Sequence, residues 1–320
     1  MSHRTERIIM TLFTLVSLFI LMLGSKYAVS AAAEGLGVCL SVIVPSLLPF
    51  FVISSMLCAF DFPSALGRRF APVMKKLFGV SGEGAAAFFI GVTGGYPLGA
   101  ASIAEIYRKG QIEKEEAERM LAFCNNTGPA FIIGTAGAGI FSSVKIGFEL
   151  YAAHILAAII VGILFSRRKT TFAPARADAP SPKFTDALVA SVKASALSVL
   201  NICAFVVFFS AVLGVLRGVG ALDLAAGELA FHLPLSLRHT RALLTGILEL
   251  GNGIAALRGC TADAVSIAVC AFILGWGGLS VHCQTMAAVS GTDLRLGRHF
   301  AGRALHGVIS AVIILFFALF

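Results

Sequence analysis

Residues 94–141, GGYPLGAASIAEIYRKGQIEKEEAERMLAFCNNTGPAFIIGTAGAGIF, place two clusters of helix-breaking residues inside apolar sequence. The first cluster is GGYP at 94–97, and the second is NNTGP at 125–129. Backbone cannot leave a helix inside lipid unless protein or trapped water takes over the freed N–H and C=O groups. Breaks of this kind predict a binding site near the middle of a membrane.

The second half of the chain repeats this plan, with breaks ELGNG at 249–253 and GWGG at 275–278. In each half an apolar span comes first, a hairpin that dips into the membrane follows, and a broken span comes last. The predicted hairpins, 84–109 and 241–258, enter from opposite sides. The sequence therefore predicts an all-α polytopic membrane protein, built as an inverted repeat of span, re-entrant helical hairpin and broken transmembrane helix.

Composition independently indicates that the chain lies in a membrane. Hydrophobic residues make up 58% of the 320 residues and charged residues only 13%, whereas about a quarter of the residues of soluble domains are charged. A full transmembrane helix needs about 20 apolar residues, and most of the apolar segments approach or exceed this length. They are predicted at 8–24, 36–60, 84–104, 120–144, 150–166, 194–216, 242–257, 264–290 and 304–320.

The distribution of Lys and Arg among the loops predicts the orientation. With a cytoplasmic N-terminus, 18 of the 25 Lys and Arg residues fall on the cytoplasmic side, Arg119 and Arg303 among them, and six fall outside. Residues 61–82 are predicted to be an amphipathic segment on the cytoplasmic membrane surface. The predicted location is the bacterial cell membrane, with several spans and the N-terminus in the cytoplasm.

Polar residues in the first broken span are candidate ligand contacts. The amides of Asn125 and Asn126 and the hydroxyl of Thr127 are costly in an apolar run unless they form hydrogen bonds. Two interpretations stay open. These side chains contact a solute, or they satisfy backbone groups that Pro129 leaves free.

The tip of the first predicted hairpin supplies three further candidates. Gly94 and Gly95 permit a tight reversal and close approach of the backbone. Tyr96 either stacks on a ligand or packs between helices.

In the second half, Glu249 is a lone carboxylate inside an apolar run, and an acid in that position is a functional candidate. It receives H⁺ or Na⁺, or it accepts hydrogen bonds from a polar ligand; the alternative is an ion pair with Arg241 or Arg258. Asn252 lies in the Gly-Asn-Gly turn that follows.

Beyond the last break, Ser280 and Gln284 are further candidates for contact with a solute. His282 next to Cys283 is a weak signal for a metal, because no third ligand follows at a known spacing. No metal site is therefore predicted.

Several function classes are excluded by missing motifs. The chain has no H-E-x-x-H, no G-x-S-x-G and no nucleotide-binding Walker loop, so neither an enzyme nor an ATP-driven pump is predicted. The seven cysteines show no C-x-x-C spacing, which argues against a disulfide framework. Basic runs interleaved with aromatic residues are also missing, so no nucleic-acid partner is expected.

Three motifs within 94–141 identify a resemblance: G-Y-P-x-G-A, E-A-E-R and F-C-N-N-x-G-P. Together with PSLLPF at 45–50, they strongly resemble the sporulation integral membrane protein YlbJ family, within the wider group that carries a "nucleoside recognition" or gate domain. The resemblance implies hairpin and broken-helix units similar to those of concentrative nucleoside transporters, and a link to sporulation in spore formers. In those transporters polar residues at the hairpin tips and helix breaks hold the nucleoside. The matching positions here are Gly95, Tyr96, Asn125, Asn126, Glu249 and Asn252.

This chain departs from the transporters at its first hairpin tip, which lacks their Gln and Glu, so nucleosides do not follow as the substrate. The predicted organisation is a signal-anchor helix at 1–35, a first gate-like repeat at 36–165, a cytoplasmic basic Pro-rich linker at 166–183 and a second gate-like repeat at 184–320.

The leading hypothesis is a secondary transporter or permease of a small polar solute, for which a nucleoside-like compound is one candidate. The alternatives are a non-transporting scaffold for assembly of the spore envelope and, more weakly, a metal-ion permease. The expected partners are the lipid bilayer and the solute, with association of identical chains left open. No cofactor is expected, and a coupling ion, H⁺ or Na⁺, is left open.

Overall fold

The computed structural model describes residues 3–60, 62–166 and 182–319. Within these ranges the chain is helical and contains no β-strand. Most of the predicted basic linker at 166–183 lies outside the described residues. The predicted all-α class is therefore confirmed.

The described part of the first half contains eight α-helices and two π-helical segments, π1 and π2. They are α1 (His3–Leu23), α2 (Ser25–Val38), π1 (Cys39–Ile43), α3 (Val44–Ala59), α4 (Phe62–Phe78), α5 (Glu83–Gly94), α6 (Leu98–Arg108), α7 (Lys114–Met120), π2 (Ala130–Ile140) and α8 (Val144–Leu164).

The second half begins with a helix of 35 residues, α9 (Phe184–Gly218). The remaining helices are α10 (Ala221–His232), α11 (Leu237–Leu248), α12 (Leu250–Ala255), α13 (Ala264–Trp276), α14 (Gly278–Ala288) and α15 (Gly297–Phe317).

Both halves follow the predicted order of a hairpin and then a broken helix. Helices α5 and α6 form the first hairpin, and α11 and α12 form the second. The broken helices are α7 with π2 and α13 with α14. The first arm of each hairpin, α5 or α11, has 12 residues, which is about 18 Å of helix and somewhat more than half of a hydrocarbon core about 30 Å thick. Each hairpin therefore has the arm length of one that turns inside a membrane, which is what the inverted repeat predicts.

Five apolar helical stretches in the described residues are long enough to cross a membrane, or six if the bent pair α4 and α5 counts as one. They are Ser25–Leu57, Val144–Leu164, Phe184–Gly218, Ala264–Ala288 and Gly297–Phe317. Two of them begin about ten residues before the predicted apolar segments. The predicted boundary at residue 35 lies within the first of them, and the division into domains stays a prediction.

The amphipathic segment predicted at 61–82 corresponds to α4. This helix turns into the first hairpin through an angle of 87°. Gly67, Met74 and Phe78 are buried, whereas Lys75 and Lys76 are exposed. Helix α4 therefore has one face on the protein and one face outside it.

Helices α2, α3 and α9 pack together in a layer beside the hairpins. Cys39, Phe51, Val199 and Val206 form its buried contact. Gly35 lies so close to α9 that an added Cβ would approach Ser210 Oγ to 2.7 Å. This layer forms one wall of the cavity described below.

Two charges that the sequence assigned to cytoplasmic loops lie inside the protein. Arg119 and Arg303 are 1% and 0% exposed, so neither counts in the distribution of loop charges. The other cytoplasmic assignments still outnumber the six outer ones. The cytoplasmic N-terminus stays a prediction.

Candidate functional site

A cavity of about 800 Å³ lies between the layer of α2, α3 and α9 and the two hairpin tips. The tip of the first hairpin and the break before π2 form part of its wall. The second hairpin and α14 form another part. Gly95 lines the cavity with its backbone, and the polar side chains of the lining are Glu34, Tyr96, Thr127, Thr135, Arg217, Asp223, Arg238, Arg241, Thr245, Glu249, Asn252, Arg258 and Gln284.

The first hairpin tip packs directly on the first helix break. Gly95 has φ 85°, and a Cβ there would lie 2.8 Å from the backbone nitrogen of Gly128. Glycine is needed here because other residues rarely adopt a positive φ and because no space exists for a side chain. Gly94, also buried, ends α5 beside this contact.

The second hairpin makes the same kind of contact with the second break. Gly278 has φ 79°, and a Cβ there would lie 2.9 Å from the backbone nitrogen of Leu250. Trp276 adds a hydrogen bond from its Nε1 to the carbonyl oxygen of Ile247, at 3.1 Å. In both halves, therefore, a hairpin tip packs on the broken helix that follows it in the sequence.

Glu249 caps the returning arm of the second hairpin. Its Oε1 accepts from the backbone N–H of Gly251 at 3.0 Å, and its Oε2 accepts from the backbone N–H of Asn252 at 2.6 Å. The Asn252 side chain and the Ser280 hydroxyl donate to the same carboxylate at 2.8 and 3.5 Å. A carboxylate at a helix N-terminus is stabilised by these N–H groups and by the helix dipole.

The suggested ion pair of Glu249 with Arg241 or Arg258 is not formed. Arg241 instead pairs with Asp223, with 2.7 Å between Nε and Oδ1. Asn252 also donates to Ser210 Oγ at 2.9 Å, which joins the second hairpin to α9.

Asn125 and Asn126 are both 0% exposed and form hydrogen bonds within the protein. The Asn125 side chain donates to Thr285 Oγ1 at 2.8 Å and accepts from the backbone N–H of Ala100 at 3.3 Å. The Asn126 side chain donates to the carbonyl oxygen of Phe123 at 2.8 Å. Neither residue lines the cavity. Their geometry is that of groups that hold the break in shape, and contact with a solute stays a prediction.

Tyr96 and Thr127 lie at the boundary between this buried network and the cavity. Thr127 donates through its hydroxyl to the carbonyl oxygen of Leu274 at 3.0 Å and through its backbone N–H to His154 Nε2 at 3.1 Å. The Tyr96 hydroxyl lies 3.4 Å from the same carbonyl oxygen. Both residues line the cavity while they connect the two breaks.

Gln284 is the predicted residue best placed to meet a solute. It lines the cavity and is 5% exposed. No hydrogen bond joins its side-chain amide to any of the residues that the structure describes. Ser280 is fully buried on the same helix and is engaged with Glu249.

Sequence reasoning missed Arg303, a positive charge that is 0% exposed in the protein interior. One of its terminal nitrogens, Nη1, donates to the backbone oxygen of Asn125 at 3.0 Å and lies 3.3 Å from Asn126 Oδ1. The other, Nη2, donates to the Tyr96 hydroxyl and to the carbonyl oxygen of Gly275. The sequence does contain a pattern that points to this arginine: His299, Arg303 and His306 are spaced so that they share one face of a helix.

The weak metal signal at His282 has a different explanation in the structure. His282 Nδ1 lies 2.9 Å from His299 Nε2, and His299 Nδ1 lies 3.1 Å from the carbonyl oxygen of Leu121. Within the described ranges, no group of three or more His, Cys, Asp or Glu side chains could hold a metal ion. The six cysteines whose side chains are described are free.

Comparison with known proteins places the chain in a family. The family model of the gate domain, described as nucleoside recognition, matches residues 40–167. The sporulation integral membrane protein YlbJ of Bacillus subtilis (strain 168) is 30% identical over 312 residues, which cover 89% of this chain and 76% of the relative. The chain belongs to the YlbJ family. The resemblance of the motifs in 94–141 is thereby confirmed.

Solved structures of the transporter CNTnw share the fold of this YlbJ-family chain. A single-substitution variant in its intermediate 3 state gives a TM-score of 0.57 at 18% identity, covering 98% of this chain and 88% of that one. The inward-facing, substrate-bound state gives 0.54 at 15% identity, covering 99% and 88%. An outward-facing variant gives 0.53 at 16% identity, covering 99% and 86%. The likeness therefore shows a shared fold and does not select one conformational state.

Proposed function

We propose that this protein is a secondary transporter of a small polar solute across the bacterial cell membrane. The observation that carries the proposal is the cavity of about 800 Å³ beside two hairpin tips and two helix breaks. Cavities of about 300–1,000 Å³ are typical of sites for small ligands. Inverted repeats support alternating access around such a site, because each half can adopt the conformation of the other.

Solute recognition is assigned to the residues that face the cavity. Gln284 offers an amide that the described residues leave without a partner, and Tyr96 and Thr127 offer hydroxyl groups. Asn252 lines the cavity as well. In this proposal Asn125, buried behind these residues, positions them rather than meeting the solute.

The charges at the cavity mouth favour solutes that carry negative charge. Arg217, Arg238, Arg241 and Arg258 line the cavity and are exposed. Only Arg241 has a carboxylate partner among the described residues, Asp223. Glu34 and Asp223 are also exposed in the lining, so the four arginines exceed the exposed carboxylates by two. An excess of positive charge raises the local concentration of anions and their rate of association. All four arginines fall on the predicted outer side, so the cavity opens away from the cytoplasm if the N-terminus is cytoplasmic.

A screen of solutes tests this proposal directly. The thermal unfolding of detergent-purified protein is followed with nucleosides, amino acids, carboxylates and organic phosphates, and any stabilising compound is then tested for flux in liposomes. Gln284→Leu should weaken binding about tenfold or more, because a buried polar contact is lost. Gln111→Leu, outside the cavity, is the matched control. Absence of stabilisation and of flux across the whole panel would refute transport.

A second candidate function is a membrane scaffold with a role in sporulation, as the name of the relative suggests. The hydrogen bonding of Asn125 and Asn126 within the protein favours it, because these breaks also serve to hold helices together. Alanine substitution at both positions discriminates the two functions. Normal abundance with lost cellular function supports a site, and reduced abundance supports a structural role.

A further inference from the structure

A guanidinium group lies where four backbone and side-chain oxygen atoms from three broken segments converge. Arg303 extends from α15 toward the first hairpin tip, the first helix break and the C-terminal end of α13. Its acceptors are the backbone oxygens of Asn125 and Gly275, Asn126 Oδ1 and the Tyr96 hydroxyl. The side chain is 0% exposed.

These oxygen atoms are of the kind that binds cations. Carbonyl groups at a helix C-terminus lack partners within the helix and carry partial negative charge, which applies to Gly275 near the end of α13. The backbone oxygen of Asn125 belongs to an unwound segment. Unwound carbonyls and the C-terminal ends of half-helices hold coupling cations in transporters built from broken helices.

Among the described residues, Arg303 is the single fixed positive charge of this cluster. No carboxylate contacts it in the described ranges, so the oxygen atoms above provide its stabilisation. His306 Nδ1 lies 3.0 Å from Arg303 Nη1, which fits a neutral ring accepting from the guanidinium. His154 likewise accepts, through Nε2, from the backbone N–H of Thr127.

The other two buried histidines also fit neutral rings. His299 Nδ1 is placed to donate to the carbonyl oxygen of Leu121, and its Nε2 then accepts from His282. The four buried histidines therefore add no second positive charge to the cluster.

We propose that the Arg303 guanidinium is a built-in cation that takes the place of a coupling metal cation. Solute binding and movement then need no Na⁺, Li⁺ or K⁺. A second monovalent cation about 4 Å from the guanidinium would bind roughly a thousandfold less tightly at the effective dielectric constant of about 20 typical of proteins. The statement about transport rests on the proposed function, whereas the statement about cation binding does not.

The first test compares thermal unfolding of full-length protein in NaCl and in N-methyl-D-glucamine chloride at equal ionic strength. The wild type should give the same midpoint in both salts. Arg303→Ala should unfold at a lower temperature than the wild type. Na⁺, Li⁺ or a few millimolar guanidinium should then raise the unfolding midpoint of this variant in a saturable way, because a cation binds in the vacated oxygen cluster. Arg298→Ala is the matched control on the same helix, since that side chain is paired at the surface with Glu115; its midpoint should not respond to these cations.

A saturable increase of the wild-type midpoint with Na⁺ would overturn the proposal, as would an Arg303→Ala protein that folds but responds to none of these cations. If Arg303→Ala does not fold, the wild-type measurement still decides, together with Arg303→Lys, which keeps the charge and should stay insensitive to Na⁺. In liposomes, solute flux should be equal with and without Na⁺, and flux that depends on Na⁺ would refute the proposal. Failure to find any flux would count against the transport function alone.

Discussion

Replacement of Glu249 by glutamine tests whether this carboxylate holds the second hairpin in shape. The carboxylate accepts four hydrogen bonds, two from backbone N–H groups and two from side chains. A glutamine has one oxygen and one NH₂ group in their place. In the less costly orientation its NH₂ group replaces Oε1, where the Ser280 hydroxyl can rotate to accept, but the backbone N–H of Gly251 loses its partner.

The magnitude follows from these contacts. A buried donor without a partner costs about 1–3 kcal/mol, and loss of a good N-terminal cap costs about 0.5–2 kcal/mol. These costs overlap because both describe the same N–H groups, so we expect a decrease of about 2 kcal/mol in the free energy of unfolding. For a chain of this size, that corresponds to a midpoint about 3 °C lower.

The assay is thermal unfolding of the purified variant in detergent, with Glu34→Gln as the matched control. Glu34 lines the same cavity and is exposed, so its replacement removes the same charge but no helix cap. We expect the control to unfold within about 0.5 kcal/mol of the wild type. An unchanged midpoint for Glu249→Gln, or an equal decrease in both variants, would refute the capping role.

Two further predictions concern packing and pH. Gly253→Ala should lower the free energy of unfolding by about 1–3 kcal/mol through overpacking, because a Cβ there would collide with the backbone of Gly246 in the facing hairpin arm. The control is Gly227→Ala, in open space on α10. Its unfolding midpoint should stay close to that of the wild type. Asp293 lies in the surface loop before α15. Hydrogen bonds from Lys114, which has the largest effect, and from Tyr107 lower the pKa of its carboxyl group. Because its pKa is lower in the folded protein, the ionised Asp293 stabilises the fold at pH values above the ordinary pKa of about 4. That stabilisation is lost as the pH falls through the pKa of the folded state. Asp293→Asn should therefore unfold at a lower temperature than the wild type at about pH 6, and the two unfolding midpoints should converge toward about pH 3. A difference between the midpoints that stays constant with pH would contradict this.

The hairpins and breaks could be predicted because their signals are local. Glycine, proline and asparagine clusters inside apolar runs mark the positions where helices end, whatever the tertiary fold. The partners of the polar side chains could not be predicted. Asn125 donates to Thr285, 160 positions away, and only the packing of the two halves brings them together.

Arg303 shows how counting loop charges fails at a buried position. An arginine near the predicted start of a helix was assigned to the cytoplasmic surface, since buried arginines are rare and costly without a partner. The oxygen atoms that compensate for its burial come from breaks that lie up to 207 positions away in the sequence. Its position between two histidines at helical spacing was the local feature that separated it from a surface arginine.

Two opposite charges, Arg303 and Glu249, stabilise the broken segments of the first and second halves, and this difference limits how the protein can change shape. Arg303 joins the first hairpin to the ends of both broken helices, so motion of the first hairpin alone would break several charge-assisted hydrogen bonds, each worth about 1.5–3 kcal/mol. Glu249 bonds within its own hairpin and to Ser280 on α14, and Trp276 on α13 also bonds to this hairpin. The second hairpin therefore keeps these contacts when it moves together with the second broken helix. The bond from Asn252 to Ser210 on α9 is a single neutral one, worth about 1 kcal/mol. Under the proposed function, a change of access therefore keeps the Arg303 cluster intact and takes place at the contact with α9.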